Sequence, residues 1–334
     1  MPISSVGDMA QQYNTMRNGS TIKLELSGLA ESMSSGRVTD VVQHLGGETA
    51  QLSGINHTLS RLDAYITSGG EIENSLANMQ LVLGQIDTIS QETSSQLLLI
   101  NSNASEGQVT EASRTARSNF DTMVNLLNTR VGDRALFGGA DVENTPLASA
   151  DDMLGDIVTA IGGATSQAAI SAAIDTWFDD PSGGFATMGY QGDTGAVVER
   201  RISGDTTISV DARADDIAIR STLKFAALAA IADEMPALDL GTRSGLLQEA
   251  GIGLFSASSE LVNVQARVGS SEGTITRELT EMSAQSAVLQ IAKNDLVSVD
   301  PFDTASRLQA VQLQLETHYA VTARMSQLSL LSYL

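Results

Sequence analysis

Residues 72–100 read IENSLANMQLVLGQIDTISQETSSQLLLI, and this stretch decides the fold of the chain. Its mostly apolar positions advance in alternating steps of four and three residues, and they are Ile72, Leu76, Met79, Leu83, Ile86, Ser90, Thr93, Leu97 and Ile100. This heptad spacing lines up one face of an α-helix and directs it towards neighbouring helices. We call this row of nine positions the seam. Its two hydroxyl side chains, Ser90 and Thr93, favour a bundle of helices over a tight two-stranded coiled coil.

Helical patterns of the same kind occupy both ends of the chain. A second seam runs along Ile275, Leu279, Met282, Ser286, Leu289, Lys293 and Leu296. Asp300 and Pro301 then suit the N-cap and first position of a last helix. Apolar periodicity predicts helices over about 4–35, 48–101, 107–131, 221–233 and 243–297, and from 301 towards the end of the chain.

The middle of the chain, from about 141 to 220, has irregular spacing and contains the only tryptophan, Trp177. Short helices fit 151–161 and 166–178. Residues 196–202 and 206–210 read as two strands, because a turn signal at Ser203-Gly204-Asp205 joins them into a hairpin.

These patterns predict a mainly α fold. The N- and C-terminal segments form a discontinuous helical bundle, or coiled-coil rod, and a small α+β domain is inserted in the middle. Residues 1–45 and 300–334 are predicted to form a terminal coiled-coil assembly domain. Residues 46–140 and 221–299 are predicted to form a helical bundle domain, and residues 141–220 a small inserted α+β surface domain.

Composition excludes several functional classes. The chain carries 19 Lys and Arg against 40 Asp and Glu, a formal net charge of -21, which disfavours nucleic-acid partners and anionic membrane surfaces. It has no cysteine, so disulfides and thiolate chemistry are excluded. The N-terminus lacks the basic and apolar regions of a cleaved signal peptide, and no apolar run is long enough for membrane insertion.

No residue pattern indicates catalysis, a cofactor or a metal. His44, His57 and His318 lie in separate segments without metal-ligand spacing. Asp193-Thr194-Gly195 matches the aspartic-protease tripeptide but reads as a turn, since no apolar strand precedes it. Gly251-Ile252-Gly253 lies inside a helical pattern rather than after a strand. The chain is therefore predicted not to be an enzyme.

The apolar faces of the two terminal helices have no cover nearby in the sequence. Each buried leucine or isoleucine contributes about 1.5–3 kcal/mol, so these faces must pair with each other, bury against other subunits, or stay disordered until a partner arrives. We predict an assembly interface there, formed by Val6, Met9, Tyr13, Met16, Leu26, Leu29, Met33, Leu308, Val311, Leu315, Tyr319, Met325, Leu328, Leu330, Leu331, Tyr333 and Leu334.

Four motifs, in order along nearly the whole chain, resemble bacterial flagellin-like proteins and, among them, the hook-associated protein 3 family. Met33-Ser34-Ser35-Gly36-Arg37 resembles the end of the first flagellin helix. Residues 126–130 and 134–139 resemble the end of the third helix in the hook-associated protein 3 family. Residues 190–195, with the hairpin from Ile202 to Val210, are similar to the middle region of the same family. The ending at 328–334 resembles the family's Ser-Leu-Leu-x-Tyr-Leu terminus. The sequence departs from the pattern of flagellins and junction proteins at residues 38–47, where the usual Asn/Asp-rich segment is missing.

The resemblance implies a structural protein of the bacterial flagellum that joins hook to filament by helical self-assembly. It implies contacts with other copies of itself, a neighbouring hook-side junction protein, flagellin and a flagellar export chaperone. It also implies an extracellular location, reached through the flagellar secretion apparatus without a cleaved signal. Flagellin itself, the filament subunit, is the alternative, and a cytoplasmic signalling coiled coil is a more distant one.

Overall fold

The computed structural model describes the backbone of residues 3–210, 212–235 and 238–331, and the side chains of 9–209, 212–235 and 238–325. The structure is 73% helical, and the few short strands within these described residues form two small sheets. The predicted mainly α fold with a small α+β insert is therefore confirmed.

The helices dominate the element order. Within the described residues they are α1 (Ile3–Ser35), α2 (Val41–His44), α3 (Ala50–Leu97), α4 (Glu106–Leu127), α5 (Ala150–Ile161), α6 (Gln167–Asp179), a π-helical turn (Phe185–Gly189), α7 (Ile217–Ala230), α8 (Leu240–Val297) and α9 (Pro301–Leu331). Strands β1 (Arg130–Val131) and β2 (Arg134–Ala135) form one antiparallel hairpin, and β3 (Val198–Arg201) and β4 (Thr207–Val210) form another.

The chain divides into two compact units. Unit one comprises Met1–Asp63 with Ser283–Leu334, and unit two comprises Ala64–Met282. Both boundaries fall inside long helices, α3 and α8. The three-part division expected from the sequence stays a prediction.

Unit two contains most of the buried core. All nine positions of the first seam in α3 and just beyond it are buried, which confirms the heptad prediction. The seven apolar residues among them join one continuous apolar cluster with α4, α7, α8 and the middle segment. The largest fully buried side chains in this unit include Phe120, Phe137, Phe178 and Phe185.

Helix α4 ends earlier than the sequence pattern predicts, at Leu127 rather than about Val131. Its start is fixed by a capping box between Ser105 and Gln108. After its end, the Asn128 side chain both accepts from and donates to the backbone of Leu147, at 2.8 and 3.0 Å. The prediction was wrong here because Gly132, at φ +60°, turns the chain into the hairpin of β1 and β2.

The middle segment folds as predicted in outline. Helices α5 and α6 and the hairpin of β3 and β4 are present, although β3 is shorter than the predicted strand. The π-helical turn was not predicted. It brings Phe185 beside Trp177 and Phe178, with ring centroids 6.2 and 5.5 Å apart, and the Trp177 indole donates to Asp156 at 2.7 Å.

Helix α7 begins at Ile217, four residues before the predicted start at 221. Asp216 is its N-cap and accepts a hydrogen bond from the Ala218 backbone at 3.0 Å. In unit one, Asp300 caps α9 as predicted, accepting from the backbones of Phe302 and Asp303 at 2.8 and 3.2 Å.

Candidate assembly surfaces

Within unit one, α1 packs lengthwise against α9. The least exposed positions of each helix recur in steps of four and three residues, as in a heptad seam. On α1 they are Thr15, Gly19, Ile22, Leu26 and Leu29, and on α9 they are Thr304, Leu308, Val311, Leu315 and His318. The two chain ends therefore cover each other along one stripe.

The pair is closest where Gly19 meets His318. A Cβ atom on residue 19 would lie 2.9 Å from Nε2 of His318, so the absence of a side chain lets the helices approach. Beside this contact the Lys23 ammonium lies 5.6 Å from the centre of the Tyr319 ring, within the range of a cation–π interaction.

The end of α1 is fastened to the junction between α8 and α9. Gly36 adopts φ +69° and its N–H donates to the Ser32 carbonyl at 2.8 Å, a left-handed helix end that favours glycine. Backbone bonds then join Val38 to Val297 at 2.9 Å and Val299 to Gly36 at 3.1 Å. The turn motif at 33–37 thus sets the place where the first helix stops and the last one starts.

Outside the seam, unit one leaves apolar side chains open to solvent. Met9, Tyr13 and Met16 follow one another at helical spacing on α1 and are 72%, 68% and 65% exposed. The last part of α8 adds Val288 and Ile291, which are similarly exposed. A row of large exposed apolar side chains commonly marks a surface that another molecule covers.

The predicted interface residues divide into two groups. Leu26, Leu29, Leu308 and Leu315 are half-buried and Val311 is buried. The exposed group comprises Met9, Tyr13, Met16, Met33, Tyr319 and Met325. Val6, Leu328, Leu330 and Leu331 lie in helices whose side chains there are outside the description, and Tyr333 and Leu334 lie outside the described residues.

Sequence reasoning missed several exposed apolar residues of unit one. Leu24, Phe302 and Leu313 are 72%, 83% and 65% exposed. Each is an apolar residue that breaks the four-and-three spacing of its helix, and this mismatch was the signal that could have found them. A search for heptad spacing selects the residues that bury one another, and it omits apolar residues that stay exposed to solvent.

No arrangement in the described residues suggests catalysis. Among them, no group of three or more His, Cys, Asp or Glu side chains could hold a metal ion. Asp193 lies in a turn, as predicted, and its carboxylate accepts from the Gly195 backbone at 3.1 Å. The described part of the chain also contains no helix long and apolar enough to cross a membrane.

Two titratable groups near that turn have shifted pKa values. Burial raises the pKa of the Tyr190 hydroxyl, and its O–H donates to the Asp193 carbonyl at 2.9 Å. Burial also raises the pKa of Asp215, against the opposing effect of the Arg213 guanidinium at 3.0 Å. Both groups belong to the packing of the middle segment rather than to an open cleft.

Comparison with known proteins finds a family model for the C-terminal part of the chain. Residues 254–334 match the family model described as the bacterial flagellin C-terminal helical region. No curated protein sequence is similar enough to the chain to count as a match.

Among solved structures, a putative flagellar hook-associated protein from Vibrio parahaemolyticus matches with a TM-score of 0.54 at 11% identity, over 74% of this chain and 96% of its own. The structure of Bacillus cereus FlgL matches with a TM-score of 0.46 at 15% identity, over 72% of this chain and 99% of its own.

The chain thus carries a C-terminal helical region of the bacterial flagellin type. The fold of the chain, over 74% of its length, is similar to that of the putative flagellar hook-associated protein from Vibrio parahaemolyticus.

Proposed function

We propose that the chain is a structural subunit of the bacterial flagellum, located in that extracellular organelle, where it joins the hook to the filament. Copies of the chain assemble side by side through α1 and α9, and their assembly forms a short adaptor between two helical lattices. The observation that carries this proposal is the terminal helix pair in unit one, which leaves large apolar side chains exposed. Its second helix, α9, lies in the region that matches the flagellin C-terminal helical region.

The helix pair supports assembly because each helix buries one apolar stripe against the other and exposes further apolar side chains to solvent. Val311 on α9 is buried within the chain, whereas Leu313, two residues later, is 65% exposed. On α1 the row formed by Met9, Tyr13 and Met16 is likewise open. A neighbouring copy that covers these rows removes apolar surface from water and stabilises the assembly.

The hook-to-filament role is favoured by the similar fold of a putative flagellar hook-associated protein from Vibrio parahaemolyticus. Under this role the chain contacts a hook-side junction protein at one end and flagellin at the other. Before assembly it passes through the flagellar secretion apparatus with the help of an export chaperone. We propose no catalytic role and no cofactor.

Flagellin itself is the second candidate. The matched family region is named for flagellin, so the same helix pair could build a long filament instead of a short adaptor. The two roles differ in how far copies of the chain stack, which is a measurable property.

Electron microscopy of flagella from cells that lack this gene tests the proposal. An adaptor subunit predicts hooks without filaments and flagellin released into the medium. Missing filaments with no released flagellin would instead make the chain the filament subunit. Normal flagella, in cells with no second copy of the gene, would overturn both roles.

A further inference from the structure

Unit two contains a small cavity with two arginines in its wall. The cavity has a volume of about 40 Å³ and lies between α3, the hairpin of β1 and β2, and β3. Its polar lining comprises Ser75, Arg134 and Arg200, and its remaining walls are largely apolar. A space of this size holds a group of a few atoms and is too small for a sugar or a nucleotide.

Arg200 reaches this wall because of the alternation of β3. Val198 and Arg200 are half-buried and Ile202 is buried, while Glu199 and Arg201 point to solvent. An arginine therefore occupies a position on the inner face of the hairpin where an apolar side chain is expected. Its pKa is lowered by burial and further by the positive charge of Arg134, while Glu71 raises it.

Glu71 lies close enough to raise the pKa of Arg200, but neither arginine is part of a salt bridge among the described residues. No carboxylate there forms an ion pair with Arg134 or Arg200. The chain has 40 acidic residues for 19 basic ones, so acidic partners are abundant. Two neighbouring guanidinium groups, one of them half-buried, repel each other and lose hydration unless an anion neutralises them.

We propose that Arg134, Arg200 and Ser75 form a binding site for a small oxyanion, of carboxylate or phosphate size. Each guanidinium can donate paired hydrogen bonds to such a group. The Ser75 hydroxyl donates to the Glu71 carbonyl at 2.9 Å and can rotate to donate to the bound anion. Glu71 supplies the competing negative charge beside the site.

Thermal unfolding of the isolated protein, followed with increasing inorganic phosphate or acetate, tests the site. Sodium chloride at equal ionic strength corrects for general screening. We expect a saturable rise in Tm, with the affinity reduced about tenfold or more in R134Q and R200Q. Arg201→Gln is the matched control, because Arg201 lies on the same strand but on its outer face, and it should bind as the unchanged protein does. Glu71→Gln should bind the anion more tightly.

An equal rise in Tm for all variants, or no rise beyond that given by chloride, would overturn the site. The exposed position of Arg134 makes R134Q a usable variant even where R200Q unfolds. This test uses the isolated protein, so its result does not depend on the flagellar role.

The source of the anion is a separate question that rests on the proposed self-assembly. Sedimentation of assembled protein distinguishes two sources, a carboxylate side chain of a second copy and a free anion from solution. Dissociation by saturating phosphate, together with weak assembly of R134Q, would assign the site to an Asp or Glu carboxylate of a second copy. Unchanged assembly of R134Q would assign it to a free anion from solution.

Discussion

Helix α8 belongs to both units, and its heptad seam from Ile275 to Leu296 crosses the boundary between them, yet the two parts of the seam differ in burial. In unit two, Ile275 and Met282 are buried. In unit one, Leu289 and Leu296 are only half-buried. Heptad spacing therefore determines which face of a helix is apolar, but the number of helices that pack against that face determines how deeply it is buried.

The same difference separates the two cores. Unit two buries aromatic side chains completely, including Phe120, Phe137, Phe178 and Phe185. Unit one pairs α1 with α9 through Ile22, Val311 and half-buried leucines, and it leaves Met9, Tyr13 and Met16 open. A fully covered core can be stable alone, whereas a two-helix seam leaves apolar surface for a further partner.

Truncating one phenylalanine in each unit gives the largest expected difference. Phe120→Ala leaves a cavity in the core of unit two, where the ring is fully buried, and should cost about 3–5 kcal/mol of unfolding free energy. Phe302→Ala in unit one should change stability by less than about 0.5 kcal/mol, because that ring is 83% exposed. Urea unfolding of the two variants measures both values. Equal costs would contradict the contrast between the units.

The seam residues show how far sequence reasoning reaches. Steps of four and three residues correctly predicted the burial of the whole seam from Ile72 to Ile100, because that spacing is a property of the helix itself. The caps at Asp300 and the turn at Gly36 were also readable, since a short side chain or a glycine at a helix end acts locally.

The remaining features depend on tertiary contacts. The early end of α4 depends on the hydrogen bonds between the Asn128 side chain and the backbone of Leu147, nineteen residues later. No local sequence pattern predicts these bonds. The open side chains of Leu24 and Leu313 could not be separated from the seam residues by composition alone. The assembly interface stays a prediction, and its residues include both the half-buried Leu26 and the exposed Met9, which only the structure separates.

Charge placed in the seam of unit one should separate internal from external apolar residues. Val311→Asp should cost about 3 kcal/mol locally, since it removes a buried apolar side chain and buries a carboxylate between α1 and α9. Leu313→Asp on the exposed side of the same helix should leave the isolated protein unchanged and weaken assembly. Hydrogen exchange of α1 and α9 in the two variants, followed by sedimentation, makes both measurements. Equal protection of the two helices in Val311→Asp would show that this seam is not their means of pairing.

A glycine pair tests the packing of the middle segment. At Gly184 a methyl group would overlap the indole of Trp177, so Gly184→Ala should destabilise unit two by about 1–3 kcal/mol. Gly155 in α5 has open space around it, so Gly155→Ala should be neutral or stabilising by up to about 1 kcal/mol. Trp177 fluorescence during unfolding reports on both. A stabilised Gly184→Ala variant would mean that the indole moves aside without loss of packing.

The smallest expected effect is a pH dependence at the start of α8 in unit two. Asp239 accepts hydrogen bonds from the Thr242 hydroxyl at 2.7 Å and the Thr242 backbone at 3.0 Å, and these bonds lower the pKa of its carboxyl below 3.8. Because the folded-state pKa is depressed, the stabilisation is present above the unfolded value and is lost as pH falls through the folded one. Asp239→Asn should therefore lower Tm slightly at neutral pH and flatten its decline below about pH 4, the range of an unperturbed aspartate. Calorimetry from pH 7 to pH 2 measures this slope, and an unchanged slope would mean that the cap contributes no charge-dependent stability to α8.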